Sequence, residues 1–150
     1  MSSNQYYDER QLIERGKIMQ QSFFLLVILI FINAFLYGVA KIIWTDYFES
    51  QMIILLIPAC YCTIRMIWKD AYNNIGSKFN IGPISSGILG LIIIWSNSNQ
   101  MSINNMGFLS KGQLTMNGAS IILGSGLVLI CIAHLVKILK DKVVSSDKDE

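Results

Sequence analysis

The only histidine, His134, follows Cys131 by three residues. On a helix the two side chains share one face and could offer a metal ion two ligands. Such a site needs further ligands from elsewhere, and Cys62, in another apolar run, is the candidate at similar depth. The C-x-C spacing of Cys60 and Cys62 departs from the C-x-x-C of thiol oxidoreductases. All three cysteines fall inside apolar runs, which reads as small hydrophobes packing in an interior. Nucleophilic catalysis needs a base beside a serine or cysteine, and no carboxylate lies within the apolar runs. Gly124-Ser125-Gly126 has no lysine after it and is not a phosphate-binding loop. The chain is therefore expected to be no enzyme, with no catalytic residue, no cofactor and no metal.

Four polar or backbone-breaking positions inside the runs are the remaining candidates. An ionisable group at mid-depth costs roughly 2.5–3.5 kcal/mol on insertion scales, so depth decides its meaning. Arg65 is close enough to the end of its run to snorkel to the headgroups, and His134, near an inner end, is expected to be wet. Asn33 lies near the middle of the first run, where its amide must find a partner in another helix or a water. Pro58 should kink the second run and free the carbonyl of Ile54. Asn33 and Pro58 together mark the one place where a central polar pocket could form, although an interhelical hydrogen bond is the favoured reading of Asn33.

The elements that must position these residues follow from composition. Of 150 residues, 53% are hydrophobic and only 15% charged, and mean hydropathy is +0.47. Soluble domains carry about 25% charged residues, and a domain of this size cannot bury so much apolar surface in its own core. Crossing a bilayer takes about 20 helical residues. Four runs qualify, at about 22–40, 52–68, 81–95 and 116–136. The expected fold is an all-α membrane protein, a small antiparallel bundle of four transmembrane helices. The first run is too long for a cleaved signal and reads as a signal anchor.

Positive charge sets orientation. Arg10, Arg15 and Lys17 precede the first run, and Arg65, Lys69 and Lys78 lie between the second and third. Lys137, Lys140, Lys142 and Lys148 follow the fourth, leaving only Lys41 and Lys111 for the other two connections. This alternation predicts an even number of spans in the cell membrane with both termini cytoplasmic. A formal net charge of +2 gives no argument for nucleic acid.

Outside the runs, residues 1–21 form an expected cytoplasmic amphipathic segment. Asp8 and Gln11 have capping-box spacing, Arg10 and Glu14 can pair, and Leu12, Ile13 and Ile18 give an apolar side. That segment either lies at headgroup level or extends the first span. Trp44, Tyr47, Phe48, Trp68, Tyr72 and Trp95 are placed as interfacial anchors. Lys69 to Asn74 can prolong the second helix, with Gly76 as its stop. The 96–115 connection is expected to be a solvated loop. Residues 137–150 form a basic, then acidic, cytoplasmic tail, disordered from Val143.

Small residues concentrate in the last two runs: Ser86 and Gly90 are four apart, as are Ser120 and Gly124, with Gly126 following. Such spacing lets helix backbones approach closely where no hydrophobic effect operates between helices. It predicts tight packing of spans three and four, or a homodimer through the same patches.

Asp8-Glu9-Arg10, Ile64-Arg65 and Asp70-Ala71-Tyr72 resemble a family of small multi-pass membrane proteins of unknown function, chiefly from low-GC Gram-positive bacteria. The resemblance covers residues 8 to 72. It implies architecture and localisation, carries no activity, and gives Arg65 and Asp70 added weight. Five apart on a helix, they lie on neighbouring faces, a geometry that allows a direct pair but does not favour it. The functional expectation is a multi-pass plasma-membrane protein whose partners are the bilayer and either a second copy or another membrane protein. Accessory, immunity or stress-type roles fit this class. The alternative is a small dimeric transporter, against which stands the absence of a carboxylate from the four runs.

Overall fold

The computed structural model describes residues 8–72, 81–104 and 107–146. Asp8 opens the first helix, α1 (Glu9–Gly38), its backbone N–H donating to Gln11 Oε1 at 3.2 Å. Glu14 lies 3.8 Å from Lys17 rather than pairing with Arg10. The helix is continuous into the apolar run, and Tyr61 Oη donates to Gln21 Oε1 at 2.9 Å. The N-terminal segment is thus an extension of α1 standing beside the next helix, and does not lie flat.

Asp46 precedes α2 (Tyr47–Trp68), which runs unbroken through Pro58. It stops earlier than expected. The N–H of Ala71 reaches the carbonyl of Met66 at 2.9 Å and that of Asp70 reaches Ile67 at 3.3 Å, with Asp70 at φ +54°. This is a Schellman closure in which an aspartate takes the left-handed place usually held by glycine. Asn73, Asn74, Gly76 and Lys78 lie outside the described residues.

Helix α3 (Ile81–Asn104) continues through the polar stretch after Trp95. Much of the expected 96–115 loop is therefore helix, and Trp95 is an exposed mid-helix residue. The rest holds a hairpin of β1 (Leu109–Ser110) and β2 (Gln113–Leu114), paired antiparallel as Leu109 with Leu114 and Ser110 with Gln113. Its turn, Lys111-Gly112, has φ of +51° and +80°, the two positive values a tight primed hairpin turn demands. Thr115 then caps α4 (Met116–Ser146), its Oγ1 accepting from the Gly118 N–H at 3.1 Å. Helix α4 includes Val143–Ser146, which corrects the disordered tail; residues 147–150 lie outside the described part.

All four helices are long and apolar enough to cross a membrane, and only 17–28% of each apolar window is buried within the chain. Their packing order is a row: α1 on α2, α2 on α4, and α4 most extensively on α3. Glycines fix the spacing at two of these contacts. A Cβ on Gly90 would fall 2.5 Å from the Gly124 carbonyl oxygen, and one on Gly124 would fall 2.8 Å from that of Gly90. Gly87 meets Cys131 in the same contact, whereas Gly126 faces Leu56 and Cys60 of α2.

Candidate functional site

At the hairpin end, the 39–46 connection is tied to the hairpin. The Leu114 N–H donates to the Trp44 carbonyl at 2.8 Å, and Thr45 Oγ1 donates to the Leu114 carbonyl at 3.1 Å. Tyr37 Oη also donates to the Thr45 carbonyl. Thr45 and Ser50 are fully buried beneath this cap. Asn33 belongs to it as well: its Oδ1 accepts from Trp44 Nε1 at 3.0 Å. Its partner is therefore a loop indole, not another helix, because Trp44 folds back over the last turns of α1.

Below the cap, α2 and α4 line a half-open cleft of about 130 Å³. Its walls are Phe48 and Met52 from α2, with Met116, Ala119 and Leu123 from α4; Ser120 and Glu49 are its polar members. Glu49 is only 9% exposed, and its Oε2 is buried without a hydrogen-bond partner. It sits in the first turn of α2, where unsatisfied N–H groups and the helix dipole favour a negative charge. Sequence reasoning placed this residue outside the second run. The signal that finds it is periodicity: Glu49, Leu56 and Cys60 recur at i, i+7 and i+11, one helix face, and that face meets α4.

The opposite end is organised by Asp70. Its backbone carbonyl accepts from Gln11 Nε2 at 2.7 Å, and its Oδ2 lies 3.1 Å from Lys137 Nζ. Lys137 also pairs with Asp141 at 3.1 Å. Asp70 thus joins α1, the end of α2 and α4. Arg65 and Asp70 do not pair: Arg65 is exposed, with its guanidinium 5.9 Å from the centre of the Tyr61 ring. Lys140 stands 5.5 Å over the Trp68 ring. Both carboxylates of the Lys137 cluster are more than half exposed, so its ion pairs are worth little individually. The cluster links the start of α1, the end of α2 and the later turns of α4 through Asp70 and Lys137.

His134 corrects another expectation. It is 2% exposed, and Nε2 is buried without a partner. Position 134 is not a wet helix end, because α4 continues to Ser146 and puts the imidazole inside the packing. Cys131, Cys62 and His134 do not assemble into a site; no group of three His, Cys, Asp or Glu side chains that could hold a metal occurs among the described residues. Pro58 is buried in α2, and neither it nor Asn33 lines the cleft beside Glu49.

Of the small residues, Gly90 and Gly124 meet directly. Ser86 Oγ donates to its own helix at the Pro83 carbonyl, 2.8 Å away, and lies 3.5 Å from the Leu127 carbonyl. Ser120 faces the α2 cleft instead. Gly87, against Cys131, was not singled out by spacing. No family model, curated protein or solved structure matches the chain.

Proposed function

We propose that this chain is a non-enzymatic, multi-pass protein of the cell membrane that works through helix contacts with a second copy or another membrane protein. In this reading the helices form an up-and-down antiparallel bundle with both termini cytoplasmic. The observation that carries it is the open row of helices. With α1 packed principally on α2, Phe24, Ile28, Phe31 and Phe35 are 54–71% exposed. They recur at i, i+4, i+7 and i+11 and so form one ridge. A rigid aromatic ridge is a good packing surface for another helix, where association rests on van der Waals fit. The small-residue patches are less suited to that role, since Gly90 and Gly124 are already used within the chain. The double change Phe31→Leu and Phe35→Leu preserves hydropathy and insertion. It should shift the protein from oligomer to monomer in native-membrane discs, counted by single-molecule photobleaching. An unchanged copy number, with no lost co-purifying partner, would sink the assembly reading.

Orientation has its own test. In a background with the native cysteines replaced by alanine, Lys111→Cys should label with an impermeant maleimide in intact cells. Arg10→Cys should label only after lysis. The reverse pattern would invert the topology.

A second reading, a small dimeric exporter, is favoured by Glu49. The argument against transport is that carboxylates lie outside the apolar runs, yet this one is buried between α2 and α4. In that reading Glu49 supplies the counter-charge for a cationic substrate.

A further inference from the structure

Glu49 poses a physical question that the cap and the helix packing do not answer. A carboxylate taken out of water needs a compensating charge or a set of donors. Here Oε2 is buried and has no donor. Asp46, at the N-cap of the same helix, makes no side-chain capping bond, and Glu49 does not reach back to close a capping box. The other charged residues of this end, Lys41, Asp46 and Lys111, are all exposed. The Glu49 side chain lines a half-open cleft of about 130 Å³, close in volume to an apolar cavity that admits a benzene ring.

We propose that the cleft at Glu49 binds a compact organic ammonium cation, its charged nitrogen against the Glu49 carboxylate and its apolar body between Met52 and Met116. The wall chemistry selects this class. A calcium or magnesium ion would want six or more oxygen ligands and a zinc ion three or four Cys, His or carboxylate ligands. The cleft offers only Glu49 and the Ser120 hydroxyl beside apolar groups. An ammonium needs one good acceptor and tolerates apolar contact around its substituents. The Phe48 ring and the polarisable thioethers of Met52 and Met116 are favourable neighbours for such a cation. An anion would meet the carboxylate and be repelled. A neutral ligand of the same shape would leave Glu49 uncompensated. The site is at the hairpin end of α2, so the ammonium can be a free amine or the amine headgroup of a lipid entering laterally. This inference does not depend on helix-mediated assembly; it shares its carboxylate with the exporter reading and names the ligand class there, while export would need flux in addition to binding.

The test uses the full chain in nanodiscs, with benzylammonium as the probe and benzyl alcohol as its neutral counterpart. Methionine methyl signals report on the walls, assigned through Met52→Leu and Met116→Leu. Benzylammonium should move the Met52 and Met116 signals saturably. Benzyl alcohol should bind at least about tenfold more weakly, as expected for loss of one charge-assisted contact. Glu49→Gln keeps the side-chain volume and should weaken benzylammonium binding by at least about tenfold with helicity unchanged. Ala119→Leu, which fills the cleft while keeping the charge, should also abolish the shifts. The source is separated by lipid. If a headgroup is the natural occupant, phosphatidylethanolamine discs should shift the same two signals relative to phosphatidylglycerol discs and compete with the probe. If a free amine is the occupant, benzylammonium should bind equally in both. The proposal is overturned if benzylammonium and benzyl alcohol bind alike. It is also overturned if Glu49→Gln binds as the parent does, or if Met52 and Met116 stay unmoved. None of these readouts involves copy number, so their failure leaves the assembly reading standing.

Discussion

Gly90→Leu and Gly124→Leu should each cost about 3 kcal/mol or more of stability, enough to leave much of the chain misfolded. The reason is what a side chain would meet. At Gly90 even a Cβ would lie 2.5 Å from the Gly124 carbonyl oxygen and 3.0 Å from Leu127 and Val128. Backbone cannot rotate away as a side-chain tip can, so α3 and α4 must separate along their most extensive contact. Gly126 provides the contrast two residues on. Its Cβ would lie 3.0–3.1 Å from the Leu56 methyl groups and Cys60 Sγ, atoms that can shift by a few tenths of an ångström. Gly126→Ala should stay within about 1 kcal/mol of the parent, offset by the helix propensity of alanine. Gly16, with nothing within 4 Å of its Cβ position, should gain up to about 1 kcal/mol as alanine. Thermal unfolding in detergent, followed by circular dichroism, ranks the series. Equal melting of Gly90→Leu and Gly126→Ala would refute the register assigned to α3 and α4.

His134→Leu should raise stability by about 1–2 kcal/mol. A buried polar atom left without a partner costs about 1–3 kcal/mol, and His134 Nε2 is such an atom in a residue 2% exposed. Leucine has a similar volume, so the change removes the penalty without opening a large cavity or forcing a repacking. The expected readout is a melting temperature a few degrees higher. His134→Gln, which keeps a polar tip in the same place, should bring no gain. A lower melting temperature for the leucine variant would mean that Nε2 is engaged by something the chain needs. A buried imidazole with this cost is worth probing beside any assay of assembly, because the stabilised variant then tests whether the histidine is kept for function.

Long-range contacts separate the residues that sequence reading placed well from those it did not. Helix existence follows from apolar length: three of the four expected runs lie wholly in helices, and the first, 22–40, does so up to Gly38. Helix ends are less legible. Helix α2 stops at Trp68 because Asp70 adopts φ +54°, a conformation Asp tolerates but does not announce. Helix α3 passes through Ser96 to Gln100 because length and neighbours outweigh the weak preference of these residues for loops. The hairpin rests on Lys111-Gly112, a short signal easily lost in a polar stretch. Arg65 and Asp70 are near in sequence, yet Asp70 pairs with Lys137, sixty-seven residues away.

The amino-acid sequence by itself determined that apolar surface exceeds what one small domain can bury. It placed that excess in four helices and concentrated the cations on alternate connections. These are properties of composition and period, summed over many residues, and local physics suffices for them. Only the tertiary structure decided that α1, α2, α4 and α3 stand in a row and that Gly90 meets Gly124 while Gly126 faces α2. It also buried Glu49 beside a cleft and hid His134 from solvent. Burial of a single polar atom depends on which helix covers it. In a chain whose helices are apolar on every side, the pattern of hydrophobic residues does not specify that neighbour; close backbone approach at a few glycines does.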